Sequence, residues 1–393
     1  MPPLLVRLNG ALLVLVLLVA CGSLLLLGEP GRNPVRDQFD TASLRFAVIG
    51  DWGVPRSPWE TAKLHMVPNQ HAVAAVMGQW AAVAQPSFVL STGDAAYPVG
   101  LRGPNETSRL QAAWADVYTG GNLGKVPWYN TEGNHDCAGD VAAQRAFGQT
   151  EPRWRMGPGF QQSEWAVPGS YHDTTVRLMV LDMCTMACGR PGPPNFRCAA
   201  SANMGAVRTD TVQARAAMLV DLQRGLHGCG RDEGSWVWCV VAGHWPIFSF
   251  GGNGPTAELI EDVLPILRKG GAHAYFSGHD HNLQHIELND RGDGGAFGAG
   301  VQLQLFVSGA GGYTLHPELK DEVPMDLRAT QENMAVGRAK HVRHGFLAVT
   351  VDDKKIRVQL MALEQQASEG QQEATVVYQT DVRWHTTLPE GSS

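Results

Sequence analysis

One unit recurs five times in this chain and restricts its choice of folds: a short apolar, β-rich run ending in a polar turn that contains glycine. Leu44 to Ile49 leads into Gly50-Asp51, and Phe88 to Leu90 into Gly93-Asp94. Trp128 to Asn130 leads into Gly133-Asn134-His135, Trp236 to Val241 into Gly243-His244, and Ala272 to Phe276 into Gly278-His279. Helical patterns lie between them, Val73, Val76, Met77, Trp80 and Val83 in one and Val212, Ala216, Leu219 and Leu226 in another. Their spacing near 3.6 gives an α/β alternation. Beyond Gly300 the pattern turns to strands, at Leu303 to Val307, Phe346 to Val351, Ile356 to Leu360 and Thr375 to Tyr378. These are expected to complete a second sheet of the same sandwich. No repeat or long Gly/Ser linker divides the chain, which places one domain over residues 40–385 after a distinct segment at 1–30.

Open α/β sheets bind ligands at the carboxyl ends of their strands. The turns therefore bring together Asp51, Asp94, Asn134, His244, His279 and His281, although successive turns lie 43, 40, 110 and 35 residues apart. Oxygen and imidazole donors with little sulfur suit hard or borderline metals rather than a Cys-rich structural zinc site. A single Gly-Asp after a strand is an ordinary turn; five such turns in register with one alternation are a specific pattern.

Charge at first opposes a phosphate ligand. With 31 Lys and Arg against 38 Asp and Glu, the formal net charge is −7, and no basic run stands out. That gives no electrostatic footprint for nucleic acid. Two of those acids, Asp51 and Asp94, are candidate metal ligands, so the global balance does not describe the pocket.

The motifs Gly50-Asp51-Trp52-Gly53, Gly93-Asp94-Ala95-Ala96-Tyr97, Gly133-Asn134-His135-Asp136, Ala242-Gly243-His244-Trp245 and Gly278-His279-Asp280-His281 carry a resemblance to the calcineurin-like metallophosphoesterases. Within them the chain resembles the purple acid phosphatases of the short, tartrate-resistant type. Lys125 to Tyr129 and Asn282 to Gln284 match as well. The resemblance implies a four-layer α/β/β/α sandwich of two mixed sheets flanked by helices. It implies that Asp51, Asp94, Tyr97 and His281 bind Fe(III), and that Asp94, Asn134, His244 and His279 bind a divalent neighbour, Fe(II), Zn or Mn. Gly53 stands where many relatives carry a histidine ligand, and Tyr97 fills that vacancy. A phenolate is a hard anionic donor that favours a trivalent ion and gives a tyrosinate-to-iron colour.

The implied reaction is hydrolysis of phosphate monoesters, phosphoproteins included, by a metal-activated hydroxide in line with the departing group. His135 is the candidate that bonds phosphate or protonates the leaving alkoxide. The runner-up is a phosphodiesterase or nucleotide hydrolase with two divalent ions, and the reading from another class is an inactive tethered binding protein. Two positions depart from the short-type pattern: Asn253 replaces a histidine before Gly254-Pro255-Thr256, and Glu258 replaces a disulfide cysteine. Cys188 is thereby left to stay free or pair elsewhere, with Cys184 and Cys198 nearby; residues 189–210 are also unlike the family's loop.

Arg7 precedes an apolar run from Leu8 to Leu27. Signal peptide and retained anchor, the latter using residues 4–27, are both open, with a lipoprotein box at Cys21 the weakest reading. All place the catalytic part on the luminal or extracellular side, as a secreted, lysosomal or membrane-anchored protein. Six cysteines remain outside that run, enough for up to three disulfides, and Asn105-Glu106-Thr107 is the one glycosylation sequon.

Overall fold

The computed structural model describes residues 42–53, 69–188, 209–232, 234–288, 303–319, 335–364 and 373–384. The N-terminal apolar run, Cys198 and most of the 189–210 loop lie outside them. Among the described residues no helix is long and apolar enough to cross a membrane.

Two mixed sheets face each other. The first contains β1 (Leu44–Ile49), β2 (Phe88–Ser91), β3 (Trp128–Asn130) and β4 (Trp154–Arg155), all parallel. On the other side of β1 it continues antiparallel through β13 (Gly345–Val351), β14 (Lys355–Leu363) and β15 (Ala374–Arg383). The second sheet runs β12 (Ala335–His341), β10 (Leu283–Leu288), β11 (Gln304–Ser308), β9 (Ala274–Ser277), β8 (Ser235–Ala242), β6 (Asp173–Leu181), β5 (Phe160–Ala166), with β7 (Gly230–Asp232) against β8. Its centre, β11, β9, β8 and β6, is parallel.

Alternation along the strands builds the layers. Phe46 and Val48 of β1 point into the space between the sheets, where they join Leu178 and Val180 of β6, Phe276 of β9 and Phe306 of β11. Their neighbours Ala47 and Ile49 face the opposite way, toward helix α1 (Gln70–Ala84) and Trp114. A third apolar layer lies outside the second sheet, where Met179, Val241 and Leu305 meet Met218, Leu222, Leu259 and Leu264. Three apolar layers between four structural ones make the α/β/β/α sandwich. Each large side chain removed from water there contributes roughly 1.5–3 kcal/mol.

The other α-helices among the described residues are α2 (Thr107–Leu110), α3 (Asn134–Cys137), α4 (Val141–Phe147), α5 (Met183–Cys188), α6 (Thr209–Gly225), α7 (Ala257–Asp262) and α8 (Leu264–Lys269). Helix α1 buries Val73, Val76 and Met77, as its spacing predicts, and ends at Gln85, which is left-handed (φ 49°) and precedes Pro86. Helix α6 keeps part of its expected face, with Leu219 packed on the core and Leu226 buried just beyond its end; Ala216 is exposed instead, and Arg215, Met218 and Leu222 are buried. Arg215 is held there by an ion pair with Asp262 at 2.7 Å and a bond to the Met186 carbonyl at 2.9 Å.

Two further expectations are corrected. The strands beyond Gly300 do not all complete the second sheet: β11 and β12 join it, while β13 to β15 extend the first. Side-chain period identifies a strand's buried face but not its neighbour. Cys184 pairs with Cys137, tying α5 to α3, and is therefore no partner for Cys188; Cys229 pairs with Cys239.

Candidate metal centre

The parallel strands deliver their following turns to one end of the sandwich. Asp51 follows β1, Asp94 follows β2, Asn134 opens α3 after β3, His244 follows β8, and His279 and His281 follow β9. Asp51, Asp94 and His279 have φ of 57°, 55° and 68°, in the left-handed region that ordinary residues avoid. Strain of this kind, about 1–3 kcal/mol per residue, gathers at functional sites.

Close approach of the turns requires glycine. A Cβ on Gly133 would lie 2.0 Å from Asp94 Oδ1, and one on Gly53 2.0 Å from the Ala95 carbonyl oxygen. Gly53 thus leaves no room for a side chain in this backbone, while Tyr97 places an oxygen beside the acids. Its hydroxyl lies 3.2 Å from Asp51 Oδ1, 3.0 Å from Asp94 Oδ2 and 3.4 Å from His281 Nε2. On the other side of Asp94, His244 Nε2 is 3.6 Å from Oδ2 and 3.0 Å from Asn134 Oδ1. The His279 ring centre is 5.0 Å from that of His244. Two donor groups therefore share Asp94.

The histidines are oriented from behind. His244 Nδ1 lies 2.7 Å from the Thr92 carbonyl and His281 Nδ1 2.6 Å from that of Thr314. A carbonyl only accepts, so each Nδ1 carries a proton, and in the neutral ring each Nε2 is bare toward the buried acids. A lone pair facing carboxylate oxygens is repulsive unless a cation or proton lies between them. Asp51, Asp94 and His244 are buried, with ligand atoms within 4.8 Å of one another. Among the described residues neither acid is paired with Lys or Arg. The donor set fits two metal ions.

Electrostatics agree. Burial pushes the Asp51 carboxyl well above its ordinary value, against the pull of His244. Burial, then Asp94 and Asp51, push the Tyr97 phenol up. Burial also acts to raise Asp94, but His244 and His135 outweigh it and the carboxyl falls below its ordinary value. Without a cation, the Tyr97 phenol keeps its proton.

Asn134, His135 and His279 are half-buried and form the open side. The His135 N–H donates to Asp94 Oδ1 at 2.9 Å, and its ring sits 4.4 Å from that of Tyr97. Its Nδ1 donates to the Pro98 carbonyl, leaving Nε2 as the nitrogen that can exchange a proton. Asn253 is exposed, with its amide 3.1 Å from His316 Nδ1.

Sequence reasoning missed two contributors. Asp136 accepts from the backbone N–H groups of Ala95, Ala96 and Gly133 and from the Gln144 amide, at 2.8 to 3.2 Å, clamping two ligand turns together. The segment after β11 lays Tyr313 on Tyr97, with ring centres 3.8 Å apart, and His316 on His281, 3.9 Å apart. The signal was present in Ser308-Gly309-Ala310-Gly311-Gly312, a sixth strand-ending glycine turn.

The calcineurin-like phosphoesterase profile matches residues 44–283, and the chain belongs to that family. It is 33% identical over 273 residues to tartrate-resistant acid phosphatase type 5 of Oryctolagus cuniculus, covering 69% of this chain and 75% of the relative. Purple acid phosphatase 17 of Arabidopsis thaliana is 32% identical over 271 residues, covering 68% of each. In fold, GAP50, the anchor in the inner membrane complex of Plasmodium, superposes with a TM-score of 0.63 at 18% identity, covering 88% of this chain and 90% of that one.

Proposed function

We propose that the chain is an acid phosphatase hydrolysing phosphate monoesters, phosphoproteins included. Asp51, Asp94, Tyr97 and His281 would hold Fe(III), and Asp94, Asn134, His244 and His279 a divalent ion, Fe(II), Zn or Mn. The observation that carries this reading is the pair of imidazoles whose bare Nε2 atoms face buried acids, with a phenol completing one donor group. When bound, such ions supply Lewis-acid stabilisation of phosphoryl charge and an acidified water. Tyr97 favours the trivalent ion in its half, and His135 supplies a proton to the leaving oxygen from the open side. The disulfides Cys137–Cys184 and Cys229–Cys239 and the N-terminal apolar run support a secretory compartment, by cleaved signal or retained anchor.

The test is hydrolysis by the iron-loaded protein at acidic pH. Wild type is expected to cleave both aryl and alkyl phosphates. His135→Ala is expected to lose about 10²–10⁴-fold in kcat on the alkyl ester and less on the aryl ester, whose leaving group needs no proton. A metal-loaded wild type that cleaves neither would contradict the reading.

A further inference from the structure

His316 is held at one ring face, at Nδ1 and through its backbone. It stacks on His281 at an interplanar angle of 15°, and its backbone N–H donates to the His281 carbonyl at 3.1 Å. The backbone N–H of His281 donates to His316 Nδ1 at 3.2 Å. A backbone N–H only donates, so Nδ1 is an acceptor and the neutral ring carries its proton on Nε2. The Asn253 amide, 3.1 Å away, adds a second donor to Nδ1. Asp280 Oδ1 lies 3.4 Å from the same nitrogen but accepts the Asn253 N–H at 3.1 Å. The His316 side chain is 31% exposed although Asp280 beside Nδ1 is fully buried. With Nδ1 taken up by these donors, Nε2–H is the polar atom of the ring left to meet a ligand.

We propose that His316 is a substrate-contacting residue, its Nε2–H donating a hydrogen bond to a phosphoryl oxygen at the rim of the centre. Stacking and the backbone bond hold that donor in place before substrate arrives, so little ordering entropy is lost on binding. An anionic acceptor makes the bond stronger than a neutral one. The inference rests on the phosphatase reading.

The experiment uses the full metal-loaded chain and inorganic phosphate, followed by titration calorimetry and visible absorbance. Asparagine at 316 retains an acceptor near Nδ1 but no donor at Nε2, whereas glutamine reaches a donor to the Nε2 position. His316→Asn is expected to weaken phosphate binding about tenfold, and His316→Gln to stay within about threefold of wild type. Both should keep the wild-type visible band. Wild-type affinity in His316→Asn would overturn the proposal, as would a band that shifts with the lost affinity, since His316 would then act through His281. A wild type that neither binds phosphate nor absorbs would instead strike the phosphatase reading itself.

Discussion

At the scale of the residue, Tyr97 carries the proposed distinction between this centre and one built for two divalent ions. Its hydroxyl is 3.0 to 3.4 Å from three other donors, and its protonated form is favoured until a cation enters. Tyr97→Phe removes the oxygen while keeping the ring against Tyr313. It is expected to abolish the visible band and weaken iron by at least about tenfold, the lower bound seen even for groups behind the ligands. An unchanged spectrum would show that Tyr97 is not a ligand. The same chemistry makes metal uptake release the Tyr97 proton, which proton-release titration would measure.

At the scale of the element, the site depends on how turns are clamped. Asp136 holds the Ala95, Ala96 and Gly133 N–H groups, and Asp136→Ala would leave them buried without an acceptor. A loss of about 3–5 kcal/mol is expected in denaturant unfolding of the metal-free chain. A loss under about 1 kcal/mol would show that the turns hold their shape without it. The ligand turns were legible in sequence because each follows an apolar run directly. The clamp was less legible, because Asp136 reads as one more acid in the third motif. Part of the buried face of α6 was hidden because Arg215, polar in sequence, is buried by a partner 47 residues away.

At the scale of the whole molecule, acid conditions bear on stability as well as activity. Burial lowers the pKa of His344 to about 4, with His281 acting in the same direction against the Ala310 carbonyl. The folded chain then binds fewer protons than the unfolded one between pH 6.5 and about 4. Stability contributed by neutral His344 is present above 6.5 and is lost as pH falls through that window, by up to about 1.4 kcal/mol per unit. His344→Gln should flatten the dependence of the denaturation midpoint on pH; an unchanged slope would exclude His344 as its source. The layered architecture was legible from the α/β alternation and the family resemblance. The division of the late strands between two sheets was not, since pairing partners leave no mark on a strand's own period.

Everything proposed for catalysis depends on a ferric–divalent centre with Tyr97 on iron. Metal analysis of the purified protein, combined with its visible spectrum, decides whether that centre exists. Two metal ions per chain are expected, at least one of them iron, with a visible band that disappears in Tyr97→Phe. A colourless active protein holding two zinc ions would contradict it.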